Sequence, residues 1–141
     1  MLSQTDNPHS SPASTVPFAI ERQALNPRTS VISVEGDLDL ASAPRLKWML
    51  VDALGEGHSQ LILDLSQATF MDSTALGVLV GVNRSLEPSA ALTIVCAHAN
   101  LLKIFELSGM DGAFAISPTI EHALAQLDTR AAQTPPAAEA S

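Results

Sequence analysis

The sequence contains no tyrosine, one tryptophan and one cysteine, and aromatic residues make up only 4% of it. Each scarcity excludes something. With Cys96 alone there can be no intrachain disulfide, so folding must rest on a buried apolar core. Cys96 itself lies in the apolar run ALTIVCA, where a small buried hydrophobe is the simpler reading than a reactive thiol. So few aromatics cannot build a platform on which bases stack. Basic residues are scarce as well: seven against fifteen acidic ones, a formal net charge of −8. Nucleic-acid backbones and anionic membrane surfaces both demand clustered Lys and Arg, so neither is an expected partner. A protein with a basic face remains a suitable one.

Long apolar runs are missing too. The longest, residues 75–82, falls far short of the ~20 residues that span a bilayer. No basic stretch followed by an apolar one opens the chain, so the expectation is a protein without a signal peptide, cytoplasmic, with no membrane span.

What is present suffices for one domain. The chain has 141 residues, 46% of them apolar and mostly Leu, Val, Ile and Ala. Residues 1–16 and 129–141 are rich in Ser, Pro, Thr and Ala and read as disordered tails, which leaves a body over 17–128. Phe18, Ile20 and Ala24 or Leu25 suggest a strand broken at Asn26-Pro27. Val31, Ile32 and Val34 suggest a second, ending at Gly36, so the body opens with a β-hairpin. Ser42 before Ala43-Pro44 resembles a helix start, and Leu46, Met49, Leu50, Ala53 and Leu54 keep helical spacing until Gly55 and Gly57. Leu61 to Leu65 predicts a central buried strand.

Residues 75–82 are apolar nearly all round and fit strand or helix. The preceding Asp-Ser-Thr favours a helix, on which Gly77 and Gly81 would share a face and permit close backbone approach. Residues 92–96 predict a strand, 100–107 a helix ended by Gly109, and 114–116 a last strand. Ser117 is expected to cap a final helix with Ile120, Ala123, Leu124 and Leu127 along one stripe. The fold class is therefore α/β, with helices layered on a sheet.

Enzyme templates are not spelled out. There is no Gly-rich phosphate loop, and Ser73 is flanked by Met71 and Ala75 where a nucleophile elbow needs glycines. His9, His58, His98 and His122 have no His or Cys partner at metal-ligand spacing. Asp37 and Asp39 suit either acid or metal chemistry or, more simply, an exposed turn. Ser73 and Thr74 stand where a strand gives way to a helix, an edge at which open α/β sheets present functional groups. The helix dipole and unpaired N–H groups there favour a phosphate. The alternative is that Asp72 or Ser73 does no more than cap the helix.

Three segments together resemble a STAS domain of the anti-sigma factor antagonist family: Gly36-Asp-Leu-Asp-Leu-Ala-Ser-Ala-Pro44, Phe70 to Gly77, and Leu102-Lys-Ile-Phe-Glu-Leu-Ser-Gly109. The similarity runs from about Phe18 to Leu127. It implies a STAS-like sandwich, a mixed four- to five-stranded sheet with about four helices. It also implies a protein without enzymatic activity or cofactor, switched by phosphorylation at Ser73, with Thr74 the runner-up acceptor. The implied partners are an anti-sigma factor with serine/threonine kinase activity and a PP2C-type phosphatase, and a weak homodimer is left open. Unphosphorylated protein would bind the anti-sigma factor and release a sigma factor. Asp37, Asp39, Asp72, Ser73, Thr74, Ala75 and Leu76 are the expected partner-binding residues, Asp39 matching a family position near the phosphorylation site. Ala75 departs from the family, which often has Gly there, and its methyl group is expected to affect partner approach. The other reading is a non-phosphorylated scaffold or accessory subunit of a signalling or lipid-transport complex.

Overall fold

The computed structural model describes residues 17–110, 112 and 114–133. Five strands and four helices alternate: β1 (Ala19–Asn26), β2 (Thr29–Leu38), α1 (Ala43–Gly55), β3 (Gln60–Met71), α2 (Ser73–Arg84), β4 (Ala91–Val95), α3 (Ala99–Leu107), β5 (Ala115–Ser117) and α4 (Ile120–Gln133). The strands lie side by side in chain order. β1 and β2 form the expected antiparallel hairpin, and every later pair is parallel. At the hairpin turn Asn26 Oδ1 accepts from the Arg28 N–H at 2.8 Å, a side-chain bond that closes the two-residue connection locally.

Strand order determines which face each helix covers. From β2 to β5 the chain steps across the sheet in one direction, and parallel crossovers are right-handed. The three crossover helices must therefore lie on the same face. One core cluster accordingly joins Leu46 and Leu50 of α1, Leu79 of α2 and Phe105 of α3 to Ile32, Leu63 and Ile94 of the sheet. Phe105 meets Phe114 edge-to-face at 5.8 Å. α4 follows the last strand and packs on the opposite face, where Ala123 and Leu127 join Val31, Ile62 and Val95.

Residues 75–82 belong to a helix, and the buried positions Ala75, Leu76, Leu79 and Val82 show its period. Gly77 and Gly81 point away from that core. No described atom lies within 4 Å of where a Cβ would stand, so the expected close approach of another backbone is absent among the described residues.

Other boundaries differ from expectation. β2 does not end at Gly36 but passes through it at φ +86 and continues to Leu38, a conformation glycine adopts without the usual steric cost. β3 runs on well past Leu65 to Met71. Two irregularities in its pairing with β2, between Ser33 and Glu35 and between Gly36 and Asp37, absorb its extra residues. The final helix is not capped by Ser117. The Thr119 Oγ1 accepts from the His122 N–H at 3.0 Å, whereas the Ser117 hydroxyl meets His122 Nδ1 at 3.0 Å. α4 also continues to Gln133, beyond the expected boundary at 128, because Arg130, Ala131, Ala132 and Gln133 are all good helix formers. Residues 1–16 and 134–141 lie outside the described residues.

The core dictates a first prediction. Leu79 is fully buried and Leu107 is 76% exposed. Replacing Leu79 with Ala should cost ~2–5 kcal/mol in urea denaturation, and the same change at Leu107 should stay within ~0.5 kcal/mol.

Candidate functional site

The site lies at the junction of β2, β3 and the start of α2. Leu38 pairs with Met71 across the parallel ladder, and the Asp72 N–H donates to the Leu38 carbonyl at 3.0 Å. Asp72 then caps α2. Its Oδ1 accepts from the N–H groups of Thr74 at 2.9 Å and Ala75 at 3.1 Å. Of the alternatives for the cap, Asp72 is the residue that performs it, and Ser73 is left as the first residue of the helix. The Ser73 side chain is exposed, and its hydroxyl has no hydrogen bond to any described residue.

Capping changes what a phosphate on Ser73 would meet. Two of the helix's orphan N–H groups are already occupied by Asp72, so the open N–H cradle expected from sequence is largely filled. A phosphate would keep the favourable end of the helix dipole but would stand beside a carboxylate.

Asp37 and Asp39 reach the same rim with different employment. Thr69, at the second irregularity of β3, donates through Oγ1 to Asp37 Oδ1 at 2.7 Å. Asp39 organises the turn into α1: its Oδ1 accepts from the N–H groups of Ala41 at 3.0 Å and Ser42 at 3.1 Å. Ser42 is buried here. Its Oγ accepts from the Asp39 N–H at 2.9 Å and donates to the Asp37 carbonyl at 2.7 Å. Ser42 thus stands at the helix start without a side-chain bond to the helix itself. Its hydroxyl ties the turn together instead.

The bond from the Asp72 N–H to the Leu38 carbonyl brings the backbone of Asp37 to Asp39 beside Asp72, Ser73 and Thr74, whereas Ala75 and Leu76 turn inward. Ala75 is fully buried and Leu76 is 9% exposed, so neither side chain stands at the surface, and the methyl group of Ala75 packs into the core. The exposed apolar side chains near this junction come from residues that were not among the expected partner-binding ones. Leu40, in the turn after Asp39, is 73% exposed, and Phe70, in register with Asp37, is 46% exposed. An apolar residue between the turn-forming Asp39 and Ser42 was the available signal.

Other candidate groups lie elsewhere. His98 Nε2 is 2.7 Å from the Ser66 carbonyl, at one side of a cleft of about 320 Å³ lined by Glu35, Gln67, Thr69 and Asn100. His58 lies in the α1–β3 connection, and His9 is outside the described residues. Among the described residues no three His, Cys, Asp or Glu side chains converge as a metal site. Burial pushes the Cys96 thiol pKa up, in keeping with a small buried hydrophobe. No helix among the described residues is long and apolar enough to cross a membrane.

A family profile described as STAS domain matches residues 23–123. The chain belongs to the STAS-domain family. Within it, similar proteins include anti-sigma factor antagonists: the anti-sigma-B factor antagonist of Listeria monocytogenes is 36% identical over 87 residues, 60% of this chain and 75% of that one. The anti-sigma-B factor antagonist of Bacillus subtilis is 31% identical over 91 residues, 64% of this chain and 83% of that one. An anti-sigma factor antagonist from Mycobacterium paratuberculosis superposes with a TM-score of 0.70 at 26% identity, covering 83% of this chain and 97% of that one. The unphosphorylated form of the antagonist SpoIIAA shares the fold, with a TM-score of 0.67 at 24% identity over 79% and 97% of the two chains. The mixed five-stranded sheet opening on a hairpin is the STAS fold expected from the three sequence segments.

The cap of this STAS domain can be tested directly. Asp72→Ala should lower stability by ~1 kcal/mol in urea denaturation, and Asp72→Asn should retain most of it. Ser73→Ala should stay within ~0.5 kcal/mol of the parent, since its hydroxyl leaves no described partner unpaired.

Proposed function

We propose that this STAS domain is an anti-sigma factor antagonist switched by phosphorylation of Ser73. In its unphosphorylated state it binds an anti-sigma factor with serine/threonine kinase activity and thereby releases a sigma factor. Phosphorylation ends that complex, and a PP2C-type phosphatase restores the binding form. The names of its relatives support the antagonist role. The observation that carries the reading is the exposed Ser73 hydroxyl, without a hydrogen bond to any described residue, directly after Asp72, whose N–H bonds the Leu38 carbonyl between Asp37 and Asp39.

Charge and exposure supply the mechanism. A phosphate adds about −1.5 to −2 charges at neutral pH. On Ser73 it joins Asp37, Asp39 and Asp72 on one rim, where it repels acidic groups of the partner and blocks a close fit over Leu40 and Phe70. Thr74, also exposed, is the second acceptor within reach of the same kinase. The domain itself has little reason to unfold, because Ser73 loses no described contact when modified. The switch therefore works at the surface.

Phosphosite mapping by mass spectrometry on protein from its own cells, before and after phosphatase treatment, tests this reading. Phosphate is expected at Ser73, and the purified phosphoform should melt within a few degrees of the unmodified protein. Ser73 unmodified across growth and stress conditions would point instead to a constitutive scaffold or accessory subunit. A large fall in melting temperature would overturn the surface mechanism.

A further inference from the structure

Helix α1 carries an apolar stripe that no described element covers. Pro44, Trp48, Val51 and Gly55 follow one another at helical spacing, and all four are exposed, away from buried Ala43, Leu46, Leu50 and Ala53. Trp48, the one tryptophan of the chain, is 71% exposed, and Val51 is 44% exposed. Single exposed hydrophobes are ordinary. A tryptophan flanked along a helix face by further apolar or small residues is instead the composition of an interface centre.

The stripe is symmetric about the point between Met49 and Leu50. Trp48 and Val51 lie equally far from it on either side, and so do Pro44 and Gly55. A two-fold interface needs a surface complementary to itself. Antiparallel pairing of α1 with its copy would set Trp48 against Val51 and Pro44 against Gly55, large against small both times. Charges divide about the same point: Arg45 and Lys47 precede it, Asp52 and the C-cap Glu56 follow it. This order opposes the helix's own dipole, which favours acids at the start and bases at the end. An antiparallel copy would set the basic half against the acidic half. Arg22 of β1 meets part of the acidic charge within the chain, at 3.6 Å from Asp52 and 2.7 Å from Glu56.

We propose that α1 is a homodimer surface, pairing antiparallel with α1 of a second copy around Trp48 and Val51. The inference stands apart from the phosphorylation of Ser73. A helix of 13 residues is only ~20 Å long, so the contact is small and the association weak, with a dissociation constant on the order of 100 µM.

The chain carries its own reporter, since without tyrosine and with one tryptophan its emission reports Trp48. In the full-length protein, raising the concentration from ~5 to ~500 µM, a range bracketing that constant, should blue-shift the emission while sedimentation shows the mass approaching double. Val51→Arg should leave the melting temperature unchanged and remove both effects. Trp48→Ala should remain monomeric over the same range. A protein monomeric at the highest concentration overturns the proposal. So does a dimer that both variants form as readily as the parent, which would use another face. A blue shift without a change in mass also overturns it, since Trp48 would then be covered by something other than a second copy.

Discussion

Asp72 links a strand, a helix and a neighbouring strand end through one residue. Its N–H extends the parallel β2–β3 ladder by bonding the Leu38 carbonyl, and its carboxylate closes the first turn of α2. A helix start leaves N–H groups without intrahelical partners, and two of them are satisfied here from the residue that ends the strand's register. Ser73 emerges as the first helical residue, with its side chain in solvent, while Ala75 and Leu76 turn into the core. The turn around Asp39 is fastened next to this junction by the Ser42 hydroxyl.

In the proposed switch, that arrangement separates stability from signalling. The apolar interior is completed by Ala75, Leu76 and Leu79, whereas the rim consists of carboxylates, hydroxyls and the exposed side chains of Leu40 and Phe70. A modification on the rim alters charge and shape without disturbing the packed layer beneath. A phosphate here need not deform the protein to change what binds it.

The uneven clothing of the sheet follows from handedness. Three right-handed crossovers taken in one direction bring α1, α2 and α3 to one face, which leaves α4 alone to cover part of the other. On that second face Glu35 of β2 and Gln67 of β3 are exposed and polar. The outer sides of α1 and α2 face away from the sheet entirely. The exposed apolar stripe on α1 is therefore a property of that helix and not a by-product of incomplete core packing.

Hydrophobic period determined the elements of this protein from sequence. The strands around Ile32, Leu63 and Ile94, the helix through Leu46 and Leu50, and the hairpin at Asn26-Pro27 were legible because burial imposes spacings of two or about three and a half on the chain. The segment around Ser73 was legible because Asp, Ser and Thr favour a helix start and because Phe70 to Gly77 resembles a STAS element. The tertiary structure alone decided the rest. Two pairing irregularities let β3 run to Met71 and brought Thr69 to Asp37, and such irregularities depend on a neighbouring strand that local pattern does not see. Gly36 has no local mark to distinguish ending a strand from bending within one. Whether Asp72 or Ser73 caps α2, and whether Ala75 faces a partner or the core, turn on the rotation of the helix about its axis. That rotation is set where its apolar side meets the sheet, by contacts between residues far apart in the chain.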